Sequence, residues 1–266
     1  MKFEIAYTQH SGKQHHEQQD AMFNGAKVIQ SQDLPTTHFT LDVKSSMFAV
    51  ADGVAVSPVP DAASRFVMQS LSKDFSKIIS ADIKAQIGPG LVRKVHGKLC
   101  DRYAKGKTKG SSATLAMVQC TGDMIVALNV GDSRVYRINC HDEWQQLSMD
   151  HTVGRDMIDE GELTELGVEG AEFDDEVAMY SGLAHCLIAD HEEDGFPVHH
   201  VTASLNQEDR LLLCTDGVHD VLGDARLQCL YDAKKQVDEQ VNIWREAILD
   251  IGAPDNFSLI LVERIS

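Results

Sequence analysis

Apolar residues along this 266-residue chain fall into short runs closed by turn residues, a pattern of strands rather than of long helices. Seven runs stand out: 3–8 (FEIAYT), 47–52 (MFAVAD), 113–120 (ATLAMVQC), 124–131 (MIVALNVG), 134–139 (RVYRIN), 210–215 (RLLLCT) and 257–263 (FSLILVE). Between the third and fourth, Cys120-Thr121-Gly122-Asp123-Met124 has the composition of a hairpin turn, and Gly131-Asp132-Ser133 makes a second tight reversal. Sequential hairpins predict antiparallel pairing. Helical spacing of three and four appears over 61–79, where Ala62, Phe66, Val67, Leu71, Phe75, Ile78 and Ile79 recur behind the start signals Ser57-Pro58 and Pro60-Asp61. Further helices are predicted from Gly88-Pro89-Gly90 to Tyr103, over 155–166, and over 238–250 ahead of Gly252. Strands and helices come in separate blocks, which predicts an α+β fold with helices packed outside antiparallel sheets.

Two stretches lack a clear pattern. Residues 24–46 read as a hairpin excursion, and 167–208 is acidic, histidine-containing and weakly periodic. A loop of that length inside a compact domain is either a lid or binding flap or a surface insertion without a role.

Composition narrows the partners more than the fold. With 43% hydrophobic and 24% charged residues, the chain reads as one globular domain, 1–266. A net charge of −17 argues against nucleic acid and anionic membranes, both of which require a basic footprint. The N-terminus lacks the apolar core of a signal peptide, and the longest apolar region, 114–130, is interrupted by Gln119, Thr121 and Asp123; a cytoplasmic location is expected. Six cysteines, at 100, 120, 140, 186, 214 and 229, are scattered without CxxC spacing and read as reduced thiols.

The chemistry lies in the aspartates. Asp20, Asp52, Asp132, Asp216 and Asp255 all sit at or beside the end of a predicted strand, with Asp52-Gly53, Asp216-Gly217 and Asp255-Asn256 as the tightest cases. Singly, each is an ordinary turn residue. Several carboxylates delivered to one sheet edge repel one another unless cations neutralise them, and oxygen donors suit hard divalent ions such as Mg²⁺ and Mn²⁺. No histidine pair has the i, i+4 spacing of a zinc site, and the adjacent His15-His16 and His199-His200 point apart if extended.

Seven motifs in order, QQDAMF, FAVADG, GSSATLAMV, LNVGDSRVYRI, LSMDHT, LLLCTDGVHDVL and DNFSLILV, resemble those of the metal-dependent protein phosphatases of the PPM, or protein phosphatase 2C-like, family. The resemblance runs from about residue 5 to 263 and is closest to bacterial members. It implies an α-β-β-α fold in which a central sandwich of two antiparallel sheets is flanked by helices, with a two-metal centre at one end. It also implies roles: Asp52 bridging both ions, Gly53 offering its carbonyl, Asp216 and Asp255 holding one ion, Asp20 acting through water, and Asp132 helping to hold a third, weaker ion. Family members hydrolyse phosphoserine and phosphothreonine with Mn²⁺ or Mg²⁺. Paired ions lower the pKa of a bridging water and neutralise the phosphoryl oxygens, so no nucleophilic Ser or Cys is needed. A phosphorylated protein substrate, an opposing Ser/Thr kinase and a monomeric state are expected.

Three departures stand against this pattern. The family's phosphate-gripping arginine lies five residues before the first aspartate, where this chain has His15, with Lys13 and His16 nearby; imidazole offers fewer donors than guanidinium. His15 is the expected phosphate contact, with Lys13 as alternative and a solvent-exposed histidine as the plain reading. Second, ADGVAV stands where many bacterial members have ADGMGG, a variant similar to phosphatases associated with type VI secretion that counter a partner Ser/Thr kinase. Third, SGLAHCLIAD lacks the arginine of the family's LTRALG segment, and Glu172, Asp174, Asp175 and Glu176 would disfavour highly acidic substrates if they line the cleft. The rival expectations are a catalytically weak PPM-fold regulatory protein that binds a signalling partner, and another two-metal hydrolase such as a nuclease, which the acidity disfavours.

Overall fold

In the computed structural model, which describes residues 1–13, 17–82, 84–162, 164, 179 and 181–266, the strands pair into two six-stranded sheets and a short ribbon. One sheet runs β10 (Trp144–Gln146), β9 (Arg134–Ile138), β13 (Arg210–Cys214), β14 (Phe257–Arg264), β1 (Lys2–His10), β4 (Asp33–Asp42). The other runs β12 (His199–Ser204), β8 (Met124–Val130), β7 (Leu115–Thr121), β5 (Ser45–Ala51), β2 (Ala21–Phe23), β3 (Val28–Ile29). The ribbon pairs β6 (Ser112–Ala113) with β11 (Leu187–Ile188). The neighbouring strands in both sheets pair antiparallel.

The apolar runs are continuous rather than alternating because the central strands are covered on both faces. Along β5, Met47, Ala49 and Ala51 pack under helices α1 (Pro60–Ala81) and α2 (Pro89–Tyr103), whereas Phe48 and Val50 face the opposite sheet. Along β14, Ile260 and Val262 face that same inter-sheet core, and Phe257, Leu259 and Leu261 pack under α4 (Asp216–Cys229) and α5 (Val237–Ile251). This is the two-face periodicity of a strand in a four-layer α-β-β-α stack. Phe3 of β1 and Phe48 of β5 join the two sheets edge to face, with ring centroids 5.9 Å apart. A short α3 (Val153–Asp159) completes the described helices, and none of these is long and apolar enough to cross a membrane.

The structure corrects several expectations. The Gly122-Asp123 hairpin forms, with Thr121 opposite Met124, but Gly131-Asp132-Ser133 is not a hairpin: β8 lies in one sheet and β9 in the other. The turn therefore crosses the edge of the sandwich. Residues 24–46 likewise form no single hairpin, because β3 pairs with β2 while β4 pairs with β1 across the sandwich. The stretch 216–229 was not expected to be helical, since Gly217 and Gly223 weaken the pattern; Gly223 kinks α4 at φ 68°. Of the expected flap, residues 167–178 and 180 lie outside the described residues, and 199–204 is an edge strand on β8. The helix expected over 155–166 is described only to Asp159.

Candidate metal centre

The registers bring the five aspartates to one end of the sandwich. His10 lies opposite Phe257, Cys214 opposite both Leu259 and Arg134, Ala51 opposite Ala21, and Val130 opposite Leu115. Each strand thus enters or leaves its sheet on the same edge. Asp20 and Asp132 sit in the segments that carry the chain between sheets, Asp52 follows β5, Asp216 opens α4, and Asp255 precedes β14.

Asp20 is fully buried. Its Oδ2 accepts hydrogen bonds from Thr215 Oγ1 and Ser258 Oγ, both at 2.8 Å, and Gln9 Nε2 donates to that same Ser258 oxygen at 2.9 Å. The other oxygen, Oδ1, is buried with no donor among the described residues. Asp52 is pinned through its backbone: its N–H donates to Thr114 Oγ1 at 2.9 Å, and its carbonyl accepts from the Thr114 N–H at 2.8 Å. Gly53 cannot be replaced without moving backbone, because a Cβ there would stand 2.3 Å from the Pro60 oxygen. Asp216 Oδ1 accepts from the Gly217 N–H at 2.7 Å, and Asp255 Oδ1 from the Asn256 N–H at 2.7 Å. A cavity of about 420 Å³ opens beside Asp216, Asp220 and Asp255.

The electrostatics are those of anions with too little neutralisation. Burial pushes the Asp20 carboxyl up to about 6 against the Ser258 hydroxyl, a contact with the Asp52 carboxyl and the Thr215 hydroxyl, and the charge of Asp255 adds to the rise. Burial also pushes Asp132 up to about 6, opposed by His219 and reinforced by Asp150. Asp52 is held well above the carboxylate range by burial and then by Asp216 and Asp20; Asp216 by burial and then by Asp132, Asp20 and Asp255. The charges of Asp20 and Asp132 thus bear on both Asp52 and Asp216, and that of Asp255 on Asp20 and Asp216, as expected of carboxylates brought to one end of the sandwich.

Whether this set fits divalent cations can be judged from its unpaired oxygens. Asp132 Oδ1, like Asp20 Oδ1, is buried without a donor among the described residues, and such orphans call for an ion or water. Every candidate donor is oxygen, as hard cations require. Among the described residues no three His, Cys, Asp or Glu side chains are gathered closely enough to enclose a single ion. Carboxylate and carbonyl oxygens of this kind suit hard ions that complete their shell with water, as Mg²⁺ does.

His15 lies outside the described residues, as do His16, Glu172, Asp174, Asp175 and Glu176. Lys13 Nζ approaches the Leu249 carbonyl at the end of α5, at 3.5 Å. Arg134 of the GDSR motif grips Asp150 in a two-pronged pair (2.9 and 2.5 Å) and reaches Asp224 at 3.2 Å, so it is committed within the fold. Burial pushes the Cys186 thiol up to about 11 and Cys120 up to about 12, far from a nucleophilic thiolate.

Sequence reasoning missed the residues that hold the aspartates. Asn256 Oδ1 accepts from the Gln19 N–H at 2.6 Å and its Nδ2 donates to the Ser11 carbonyl at 2.5 Å, tying the loop before Asp20 to Asp255. His219 Nε2 meets the Asp132 carbonyl at 3.1 Å while its Nδ1 faces Asp220 at 2.9 Å. The available signal was a hydroxyl or amide placed beside a strand-end aspartate: Thr215 before Asp216, Asn256 after Asp255, and Ser258 alone in an apolar strand.

Known proteins share the sequence pattern and the fold. The protein phosphatase 2C family profile matches residues 29–251. The chain belongs to the protein phosphatase 2C family. It is 25% identical over 226 residues to serine/threonine phosphatase stp of Listeria innocua, covering 83% of this chain and 85% of that one. It is 23% identical over 219 residues to serine/threonine protein phosphatase PstP of Mycobacterium tuberculosis, 82% of this chain and 40% of that longer protein. The solved structure of the Mycobacterium tuberculosis phosphatase PstP/Ppp superposes with a TM-score of 0.78 at 19% identity over 100% of both chains. The PstP catalytic domain in complex with two manganese ions gives 0.71, also at 19% identity over 100% of both. The fold is thus that of the protein phosphatase 2C family. The segment matched by the family profile contains Asp52, Asp132 and Asp216 but stops short of Asp20 and Asp255. The Thr215–Asp20 and Asn256–Gln19 hydrogen bonds return both to the same corner.

Proposed function

We propose that this chain is a metal-dependent protein phosphatase that hydrolyses phosphoserine and phosphothreonine, with two or three Mn²⁺ or Mg²⁺ ions. The observation that carries the reading is the mutually repelling set of a fully buried Asp20 with half-buried Asp52, Asp132 and Asp216, two of whose oxygens lack donors among the described residues. Membership of the protein phosphatase 2C family supports it, and the PstP catalytic domain in complex with two manganese ions supports the choice of cation.

In this reading Asp52, the Gly53 carbonyl, Asp216 and Asp255 would hold the paired ions, Asp20 would act on them through water, and Asp132 would serve a further ion. Ions bound there would supply a nucleophilic water near neutral pH and neutralise charge on the phosphoryl oxygens. The chain's own residues set the geometry. Thr215 and Ser258 fix the rotation of the Asp20 carboxyl, Thr114 fixes the backbone of Asp52, and Asn256 couples the position of Asp20 to that of Asp255. His15, at the register of the family's phosphate arginine, contacts the substrate phosphate. The remainder of the reading is a cytoplasmic monomer, one domain over 1–266, acting on phosphoproteins in opposition to a Ser/Thr kinase and not on nucleic acid or membranes.

Release of inorganic phosphate from phosphothreonine and phosphoserine peptides, in Mn²⁺ and in EDTA, tests it. Turnover in Mn²⁺ that EDTA abolishes is the expected result, with a raised KM in His15→Ala. Absence of turnover on both peptides in Mn²⁺ rejects the catalytic reading in favour of a regulatory protein of the same fold.

A further inference from the structure

The charge of this protein is unevenly distributed. Residues 60–110 hold eleven of the 24 Lys and Arg and only four of the 41 Asp and Glu, a local balance of +7 that leaves −24 for the rest of the chain. The excess is turned outward. Helices α1 and α2 bury Val67, Leu71, Val92, Val95 and Leu99 against the sheet, while Lys73, Lys77, Arg93, Lys94 and Arg102 are exposed.

The two helices lie antiparallel. Phe66 meets Tyr103 edge to face at 5.5 Å, and further along, buried Asp74 pairs with Lys98 at 2.6 Å and Lys94 at 3.4 Å. One carboxylate thus serves two ammonium groups, which leaves net positive charge at the seam. A groove of about 510 Å³ runs along this seam, lined among others by Phe66, Gln69, Lys73, Lys98 and Arg102, with exposed Asp101 as the acidic member of its wall. Neither Lys73 nor Arg102 has a carboxylate partner among the described residues.

The basic face continues to the candidate centre. After Tyr103 the turn Gly106–Thr108 presents exposed Lys105 and Lys107. The chain then reaches Ser112, whose N–H donates to Ser57 Oγ at 3.2 Å and whose carbonyl accepts from the Val54 N–H at 3.1 Å. This is the loop that begins at Gly53. Four residues lie between Lys107 and Ser112, a span of at most about 18 Å.

We infer that the α1–α2 groove and the Lys105–Lys107 turn dock the acidic flank of a phosphorylated protein segment, so that phosphosites accompanied by Asp or Glu are preferred; this rests on the phosphatase reading above. An acidic segment is repelled by a surface of net charge −24 and attracted to this one face, which steers it toward the Gly53 loop. A groove with an aromatic wall accepts the side chains of a polypeptide. Duplex DNA or an anionic bilayer would press a broad negative surface against the acidic remainder as well.

The test is the ratio of kcat/KM for a phosphothreonine peptide flanked by glutamates, on either side, to that for one flanked by Gly and Ser, in Mn²⁺. The ratio is expected to exceed about tenfold at low salt and to shrink toward one near 0.5 M NaCl, because exposed pairs are screened. The double variant Lys105→Gln/Lys107→Gln should reduce it about tenfold through KM, each exposed pair contributing about threefold, and Lys73→Gln/Arg102→Gln should reduce it similarly. Lys234→Gln/Lys235→Gln, ahead of α5, should leave it unchanged. A ratio unaffected by both groove variants overturns the inference. Fluorescence anisotropy of a labelled, unphosphorylated glutamate-rich peptide provides a readout independent of catalysis: binding weakened in the same variants supports docking even if no peptide is hydrolysed, in which case the phosphatase reading alone fails. Unchanged peptide binding in the variants, or tighter binding to phosphatidylserine vesicles or duplex DNA than to the peptide, overturns it.

Discussion

Replacing Asp20 by asparagine should make the metal-free protein more stable while weakening its response to cations. The carboxyl is fully buried, takes two hydroxyl hydrogen bonds on Oδ2 and has no donor on Oδ1. An asparagine oxygen can accept both hydroxyls, and its amide would occupy the orphaned position facing the neighbouring carboxylates. The folded carboxyl takes up its proton at about 6 and an unfolded one near 3.8. Between those values the folded state binds the extra proton, so its stabilising effect is complete below pH 4 and is lost as pH rises through 6. At about 1.36 kcal/mol per unit, ionising Asp20 costs the metal-free fold roughly 3 kcal/mol at pH 7.5. Asp20→Asn removes that cost, equivalent to a rise in Tm of roughly 5–10 °C. Thermal unfolding in EDTA at pH 7.5 and 4.5 should show the advantage at the higher pH and little at the lower. Addition of Mn²⁺ should stabilise the wild type more than the variant, since a ligand stabilises only in proportion to its occupancy of the folded state. A variant that is less stable than wild type at pH 7.5 in EDTA, or equally advantaged at both pH values, would refute this view of the buried carboxylates.

Gly217→Ala places a Cβ 2.0 Å from the Asn256 carbonyl oxygen and 3.2 Å from Phe257 Cβ. Backbone must move, so urea unfolding should show a loss of at least about 2 kcal/mol, and cation binding should weaken because Asp216 and Asp255 flank the contact; wild-type stability would contradict the geometry. His151 is buried, its Nδ1 accepts the Gly131 N–H at 3.0 Å, and burial lowers its pKa from 6.5 to about 4. The unfolded imidazole therefore gains a proton first as pH falls below 6.5, and folding loses roughly 3 kcal/mol by pH 4. In EDTA, the stability difference between wild type and His151→Gln should shift against wild type by that amount between pH 7 and 4, whereas parallel curves would show that His151 is not held neutral.

The parts of this fold legible in the sequence are those governed by local periodicity. β1, β5, β7, β8, β9, β13 and β14 and the helices α1, α2 and α5 lie within a few residues of where apolar spacing and Pro or Gly punctuation predict them. What periodicity does not encode is which sheet a strand joins. A tight turn such as Gly131-Asp132-Ser133 looks the same whether it closes a hairpin or crosses the sandwich edge, and only the pairing of β9 with β13 reveals the crossing. The five aspartates were visible as strand-end residues, and their convergence is a consequence of registers that only the tertiary structure shows. The holding roles of Thr114, Thr215, Ser258, Asn256 and His219 went unnoticed because a hydroxyl, amide or imidazole in an apolar strand or a turn carries no periodic signal. α4 was missed for a different reason: Gly217 is present for its close approach to Asn256, not for helix formation.

The central claim, that aspartates far apart in sequence form one cation centre, is tested most directly by counting bound Mn²⁺. Electron paramagnetic resonance of free Mn²⁺ during titration of the purified protein should give at least two ions per chain for wild type and fewer for Asp52→Asn. No bound Mn²⁺ in the wild type, or the same number of equally tight sites in both proteins, would contradict it.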